Sequence, residues 1–166
     1  MGYLRTATLV AVCFAFSGMA YADEASGTSK AKPADRKALE QQFTEKMTGA
    51  VFAGTFSVAG KTERQPQSEK YTITKVVKLR DDYWTFFARI QYGGHDVEIP
   101  MTLEVKWAGD TPVITLTETT IPQLGTFTAR VLVYGDRYAG TWQHNQVGGH
   151  LWGQIEKVPQ AAADKP

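Results

Sequence analysis

The sequence has one cysteine, Cys13, and no apolar run longer than the ten residues Ala7–Phe16, interrupted only by Thr8. A lone cysteine cannot close an intramolecular disulfide, so side-chain packing must hold the fold. A membrane-spanning helix needs roughly 20 apolar residues, and Ser17-Gly18 ends this run well short of that. A surplus of one charge is missing too, since 18 Lys and Arg stand against 17 Asp and Glu. That balance removes the electrostatic reason to bind nucleic acid or an anionic membrane.

Catalytic spacings are equally scarce. The chain contains no G-x-G-x-x-G, P-loop or G-x-S-x-G segment. Beyond residue 22 the serines are Ser26, Ser29, Ser57 and Ser68, and Ser57 lies in Phe56-Ser57-Val58 rather than on a nucleophile elbow. The three histidines form two separate groups: His95 precedes Asp96-Val97-Glu98, while His144 and His150 flank a late turn. Zinc requires three or four converging ligands, and neither group offers them. The expectation is a protein that is not an enzyme and holds no metal or other cofactor.

The first 22 residues have the form of an export signal. Arg5 gives a positive start, Ala7–Phe16 an apolar centre, and Ala20-Tyr21-Ala22 a small-residue processing site before Asp23-Glu24. Val12 stands before Cys13, where lipid attachment favours a small residue. Cleavage after Ala22 would leave 144 of 166 residues, with Arg5 and Cys13 gone and 17 basic side chains against 17 acidic ones. The expected destination is the periplasm or the extracellular medium. Residues 23–33 and 159–166 are small, polar and charged, and read as a disordered leader and tail. The folded domain is expected over 34–158.

Within it, Leu39, Phe43 and Met47 recur every four residues across Ala34–Thr48, and Gly49 follows as a stop. That spacing predicts one amphipathic helix lying on a sheet. From Val51 to Val158 the period changes to two. In Val97–Trp107 every odd position is apolar and four of the five even ones are polar or charged. Successive side chains of a strand point to opposite faces, so one face is dry and the other wet.

Turn residues divide this region into eight strands, near Val51–Ala59, Tyr71–Leu79, Tyr83–Tyr92, Val97–Trp107, Pro112–Thr119, Thr126–Tyr134, Arg137–His144 and His150–Lys157. Only Gly60–Lys70 is a long connection, and it is strongly polar. Short connections between neighbours imply an all-β, eight-stranded antiparallel up-and-down barrel with one N-terminal helix. A β-sandwich obeys the same alternation. The dry face is expected to carry Phe52 and Phe56, then Ile73, Val77 and Leu79, and further on Ile90, Leu103, Val131, Leu151 and Ile155. Lys75, Arg89, Glu98, Lys106, Arg130 and Glu156 are expected outside, with Tyr83, Phe87 and Trp152 as exposed aromatics.

The last hairpin admits two registers. In one, His144 faces His150; in the other, Trp142 faces Gly153. The second is favoured because Tyr138, Trp142, Leu151 and Ile155 then share the dry face and a ring covers a bare glycine.

Gly140-Thr141-Trp142, followed by Asn145 and Gly148-Gly149, resembles the G-x-W segment of the calycin superfamily, the lipocalin-, fatty-acid-binding- and avidin-like barrels. There the tryptophan packs into one end of the barrel. The segment opens the first strand in that group and lies in the seventh here. The chain as a whole is also similar to small exported bacterial proteins of no assigned activity. The resemblance implies the barrel architecture and a habit of binding small molecules.

The candidate ligand-binding residues are Trp84, Phe86, Met101, Phe127, Tyr138 and Trp142, which together could line a pocket for an apolar or planar molecule. An eight-stranded barrel is also narrow enough to be filled by its own side chains. Three roles therefore stay open: a binding protein for a small apolar ligand, an outer-membrane barrel with its apolar face toward lipid, and a filled module that meets a protein partner through its outer surface. The expectation taken forward is the first, without nucleic acid and without integral membrane insertion.

Overall fold

Asp35 opens the described part of the chain, which in this computed structural model comprises residues 35–61 and 65–157. The export signal, the leader and the tail read from the sequence lie outside these residues. The Asp35 carboxylate accepts from the Lys37 N–H at 3.0 Å and caps helix α1, Arg36–Met47. It thereby satisfies a donor that has no partner inside the helix. The four-residue spacing buries Phe43 and Met47 on one side, while Lys37, Gln41, Gln42 and Glu45 stay exposed. Gly49, at φ 73°, turns the chain into the first strand, a left-handed conformation open to a residue without Cβ.

Eight antiparallel strands follow: β1 Ala50–Phe56, β2 Gln67–Arg80, β3 Tyr83–Tyr92, β4 His95–Ala108, β5 Thr111–Ile121, β6 Gly125–Tyr134, β7 Arg137–His144 and β8 Val147–Lys157. Each pairs with the next, and β8 returns to β1 with Phe52 opposite Ile155, so the sheet closes into a barrel. A sandwich is not formed. The alternation now has one inner face, with Met101, Leu103, Phe127 and Trp142 all packed into the interior cluster. Tyr83, Phe87 and Trp152 are exposed.

Two bulges shift the expected facing in β2. Ile73 lies opposite Ala88 and Lys75 opposite Phe87, so Thr74 is an extra residue; Leu79 is a second one, between the Lys78–Trp84 and Arg80–Tyr83 pairs. One extra residue reverses which side chains face inward. Val76 and Lys78 therefore take the inner positions assigned to Val77 and Leu79, and Leu79 is 55% exposed. The last hairpin also differs from both expected registers. Asn145 (φ 54°) and Gln146 form its turn, placing His144 opposite Val147, Trp142 opposite Gly149 and Tyr138 opposite Gly153. Parity survives this slide, so Tyr138, Trp142, Leu151 and Ile155 still share the inner face.

A third bulge, at Thr117–Glu118 with Glu118 at φ 47°, bends β5. β4 and β5 pair only from Glu104–Thr115 to Ala108–Thr111, whereas β3 and β4 pair along ten positions. Among the described residues, His95–Leu103 thus has a strand neighbour on one edge only. The wall parts into a seam there, bordered by Ile99 and Met101 on one side and Thr119 on the other.

α1 closes the barrel end from which that seam is farthest. The Phe43 ring meets Trp84 edge-on at 5.1 Å, Trp107 at 5.9 Å and Phe86 at 6.2 Å. Around this plug, Arg36 pairs with Asp82 at 2.9 Å, Lys78 with Glu40 at 2.5 Å and Lys46 with Asp136 at 3.3 Å. Lys157 donates to the Glu45 and Thr48 carbonyls, both at 2.6 Å. Exposed ion pairs are each worth about 0–1 kcal/mol, against about 1.5–3 kcal/mol for burying one large apolar side chain. Phe43 and Met47 hold the helix down; the charges set its angle.

Candidate functional site

Toward the other end the interior is not filled. A cavity of about 180 Å³ remains between Phe52, Phe86, Met101, Leu116, Phe127 and Trp142. Several inward side chains here, Phe56, Tyr92, Phe127 and Trp142 among them, are only partly buried. Phe56 stacks edge-on with Trp142 at 5.8 Å and with Tyr92 at 6.0 Å. The Trp142 indole N–H donates to the Ser57 carbonyl at 3.1 Å, which holds its ring across this end.

Among the described residues one carboxylic acid lines the cavity. Glu69, at 5% exposure, accepts hydrogen bonds from the Tyr71 hydroxyl at 2.8 Å and the Tyr138 hydroxyl at 2.9 Å. Its position follows from β2 parity, since Glu69, Tyr71 and Ile73 alternate inward before the first bulge. Two glycines then make room for its partner. In the row Glu69, Gly54, Gly153, Tyr138 across β2, β1, β8 and β7, the two central positions carry no side chain. A Cβ on Gly54 would lie 2.4 Å from the Tyr138 hydroxyl, and one on Gly153 would lie 2.8 Å from its ring. Tyr138 therefore lies flat over both glycines and reaches Glu69 from two strands away.

Burial pushes the Glu69 carboxyl above the usual carboxylate range, although both tyrosine hydrogen bonds favour its charged form. Burial, with Glu69 beside them, raises the Tyr71 and Tyr138 phenols well above theirs. All three groups are therefore poised as neutral or reluctantly charged partners in an apolar chamber. They offer hydrogen-bonding capacity in an otherwise apolar setting.

Of the residues singled out from the sequence, Phe86, Met101, Phe127, Tyr138 and Trp142 line this cavity together. Trp84 does not. It is 1% exposed under α1, packed on Phe43 and covered by the Lys78 ammonium at 4.9 Å from its ring. The bulge in β2 brings Lys78 there. The sequence reading misses Glu69 because Gln67–Lys70 belong to the polar connection, and it misses Tyr71, which opens the expected strand Tyr71–Leu79, because the dry face is drawn from Ile73 onward. The available signal was the alternation Glu69, Tyr71, Ile73 facing a strand with Gly54.

The histidines are apart. His144 stacks on Phe127 at 4.6 Å, His95 lies against Tyr92 at 5.3 Å, and His150 sits opposite Thr141. Asp96 is engaged by the Arg89 guanidinium at 2.7 and 2.8 Å and by Gln91 at 3.0 Å. Among the described residues no three His, Cys, Asp or Glu side chains are grouped to hold a metal ion. No family model, no curated protein and no solved structure matches this chain.

Proposed function

We propose that this chain is an exported, non-enzymatic binding protein for a small, mainly apolar molecule held inside the barrel. The observation that carries the reading is the aromatic-lined cavity of about 180 Å³ in a barrel narrow enough to have been filled. An engineered apolar cavity of about 150 Å³ accepts benzene, so the natural ligand is of that order or slightly larger. The seam between β4 and β5 would offer a lateral route to it, because Ile99 and Met101 have no strand neighbour on that side among the described residues. The calycin resemblance of the Gly140-Thr141-Trp142 segment is a proposal of the same kind.

The alternatives fit less well. A lipid-embedded barrel needs an apolar outer belt, yet Lys75, Arg89, Glu98, Lys106 and Arg130 stand exposed on the outer face. An interaction module acting through Tyr83, Phe87 and Trp152 has no use for an internal chamber.

Titration with benzene and with 1-hexanol tests the reading. A ligand at 100 times its dissociation constant stabilises the folded state by about 2.7 kcal/mol, so the melting temperature should rise with ligand concentration. The amide signals of Tyr138 and Trp142 should shift with it. Neither effect with either probe would end the proposal.

A further inference from the structure

Resting on that reading, we infer that the ligand carries a protonated amine at one end of its apolar body and that Glu69 receives it.

Among the described residues Glu69 is the only charged side chain lining the cavity, and no described Lys, Arg or His borders it. Its two oxygens take one tyrosine hydroxyl each, whereas an ionised carboxylate has about four acceptor sites. Half of its accepting capacity is left for something else. The groups facing it are all phenols: Tyr71 on β2 itself, Tyr92 opposite it on β3, and Tyr138 from β7. β1 and β8 contribute only Gly54 and Gly153 in this row. Two neutral donors, with Tyr92 as a neutral neighbour, leave the buried carboxylate without a countercharge among the described residues, an arrangement that is costly unless a cation completes it.

Ligand chemistry follows from what the chamber lacks. A fatty acid or other anion would bring a second negative charge beside Glu69 and find no cation among the described lining residues to meet it. A hydrocarbon would leave the carboxyl as it stands. An aliphatic ammonium offers three donors, matches the free acceptor sites and makes charge-assisted hydrogen bonds. The rest of the molecule has space for roughly six to eight non-hydrogen atoms, by comparison with cavities that accept benzene. Packing alone does not call for a carboxylic acid here, since a glutamine has the same shape. Burial raises the Glu69 pKa, and an ammonium at hydrogen-bonding distance would reverse that effect.

Calorimetric titration of the purified chain with hexylamine, 1-hexanol and hexanoate decides the matter. Hexylamine is expected to bind at least about tenfold more tightly than 1-hexanol, as hydrogen bonds to charged groups warrant, with hexanoate weakest. In Glu69→Gln the preference for hexylamine over 1-hexanol should vanish. The wild-type preference should also grow from about pH 4 to about pH 8, as Glu69 ionises while the amine stays protonated. That second measurement holds even where the variant folds poorly. Equal binding of hexylamine and 1-hexanol, an unchanged hexylamine affinity in Glu69→Gln, or a preference independent of pH would each overturn the inference and leave the cavity reading standing. Binding of none of the three probes would remove both.

Discussion

At the α1 end of the barrel Phe43 sits within 6.2 Å of Trp84, Phe86 and Trp107, whereas at the far end Phe56, Tyr92, Phe127 and Trp142 surround a chamber. The same alternating strands build both ends. What differs is that α1 inserts two side chains from outside at one end, and Met47 there has 0% exposure. At the other end two glycines on adjacent strands, a bulge in β5 and a parted β4–β5 seam remove material that would otherwise fill the space. The comparison separates two tasks usually merged in a small domain: one end supplies cohesion, and the other gives some of it up for volume.

The strongest way to break that contrast is to cut one ring from each end. Phe43→Ala should cost about 3–5 kcal/mol, the usual loss for a fully buried phenylalanine. Phe127→Ala should cost clearly less, because Phe127 is only partly buried and already borders the cavity. Urea denaturation of both variants measures the difference. Equal losses would mean that the two ends are not energetically distinct.

Next in size is the glycine row. In Gly54→Ala the new methyl would sit 2.2 Å from the Trp152 carbonyl oxygen and 2.4 Å from the Tyr138 hydroxyl. Overpacking of this kind costs about 1–3 kcal/mol, and it must displace Tyr138 from Glu69. Loss of stability together with a shifted Tyr138 ring resonance is the expected result. An unperturbed ring would show that the glycines do not set its position.

These two positions also mark where the sequence is legible and where it is not. Strand number, barrel order and the buried pair Phe43 and Met47 follow from periods of two and four that no local detail disturbs. The facing of β2 beyond Ile73 does not, because Thr74 and Leu79 each insert one residue and a single insertion reverses the side chains beyond it. No composition signal marks such a bulge in β2. Trp84 was assigned to the chamber because parity places it inside; which end the helix would cover is a matter of tertiary packing. Glu69 was hidden for the opposite reason. Its neighbours Gln67, Ser68 and Lys70 are polar, and only the pairing with Gly54 and the reach of Tyr138 turn it inward.

A third, smaller effect tests the chamber's carboxyl through stability. The Glu69 pKa is raised in the folded state above its ordinary value of 4.5. The unfolded chain therefore loses its proton first, and holding Glu69 buried costs progressively more as pH rises from the ordinary value through the folded one. Below that window the carboxyl is protonated in both states and the penalty is absent. Glu69→Gln, which cannot ionise, should gain stability relative to wild type as pH increases from about 4.5 and level off beyond the folded value. Urea midpoints for both proteins across this range give the comparison, and a difference that did not change with pH would contradict the assigned burial.

The smallest stability effect belongs to the wall of the open end. Arg130 donates to the Leu116 carbonyl at 2.5 Å and to the Thr117 hydroxyl at 3.0 Å, pinning β5 where it bends away from β4. These bonds lie at the surface, so Arg130→Ala should lower stability by less than about 1 kcal/mol. Its consequence is local. The strand beyond the bulge, Thr119–Ile121, pairs only with β6 among the described residues, so releasing Arg130 should speed amide hydrogen exchange there. Val76, Trp84 and Val105, under α1, should keep their protection, because local opening at the seam leaves the plug intact. Faster exchange at both ends would mean that the seam and the plug open as one unit, and the two ends of the barrel would then share a single cooperative core.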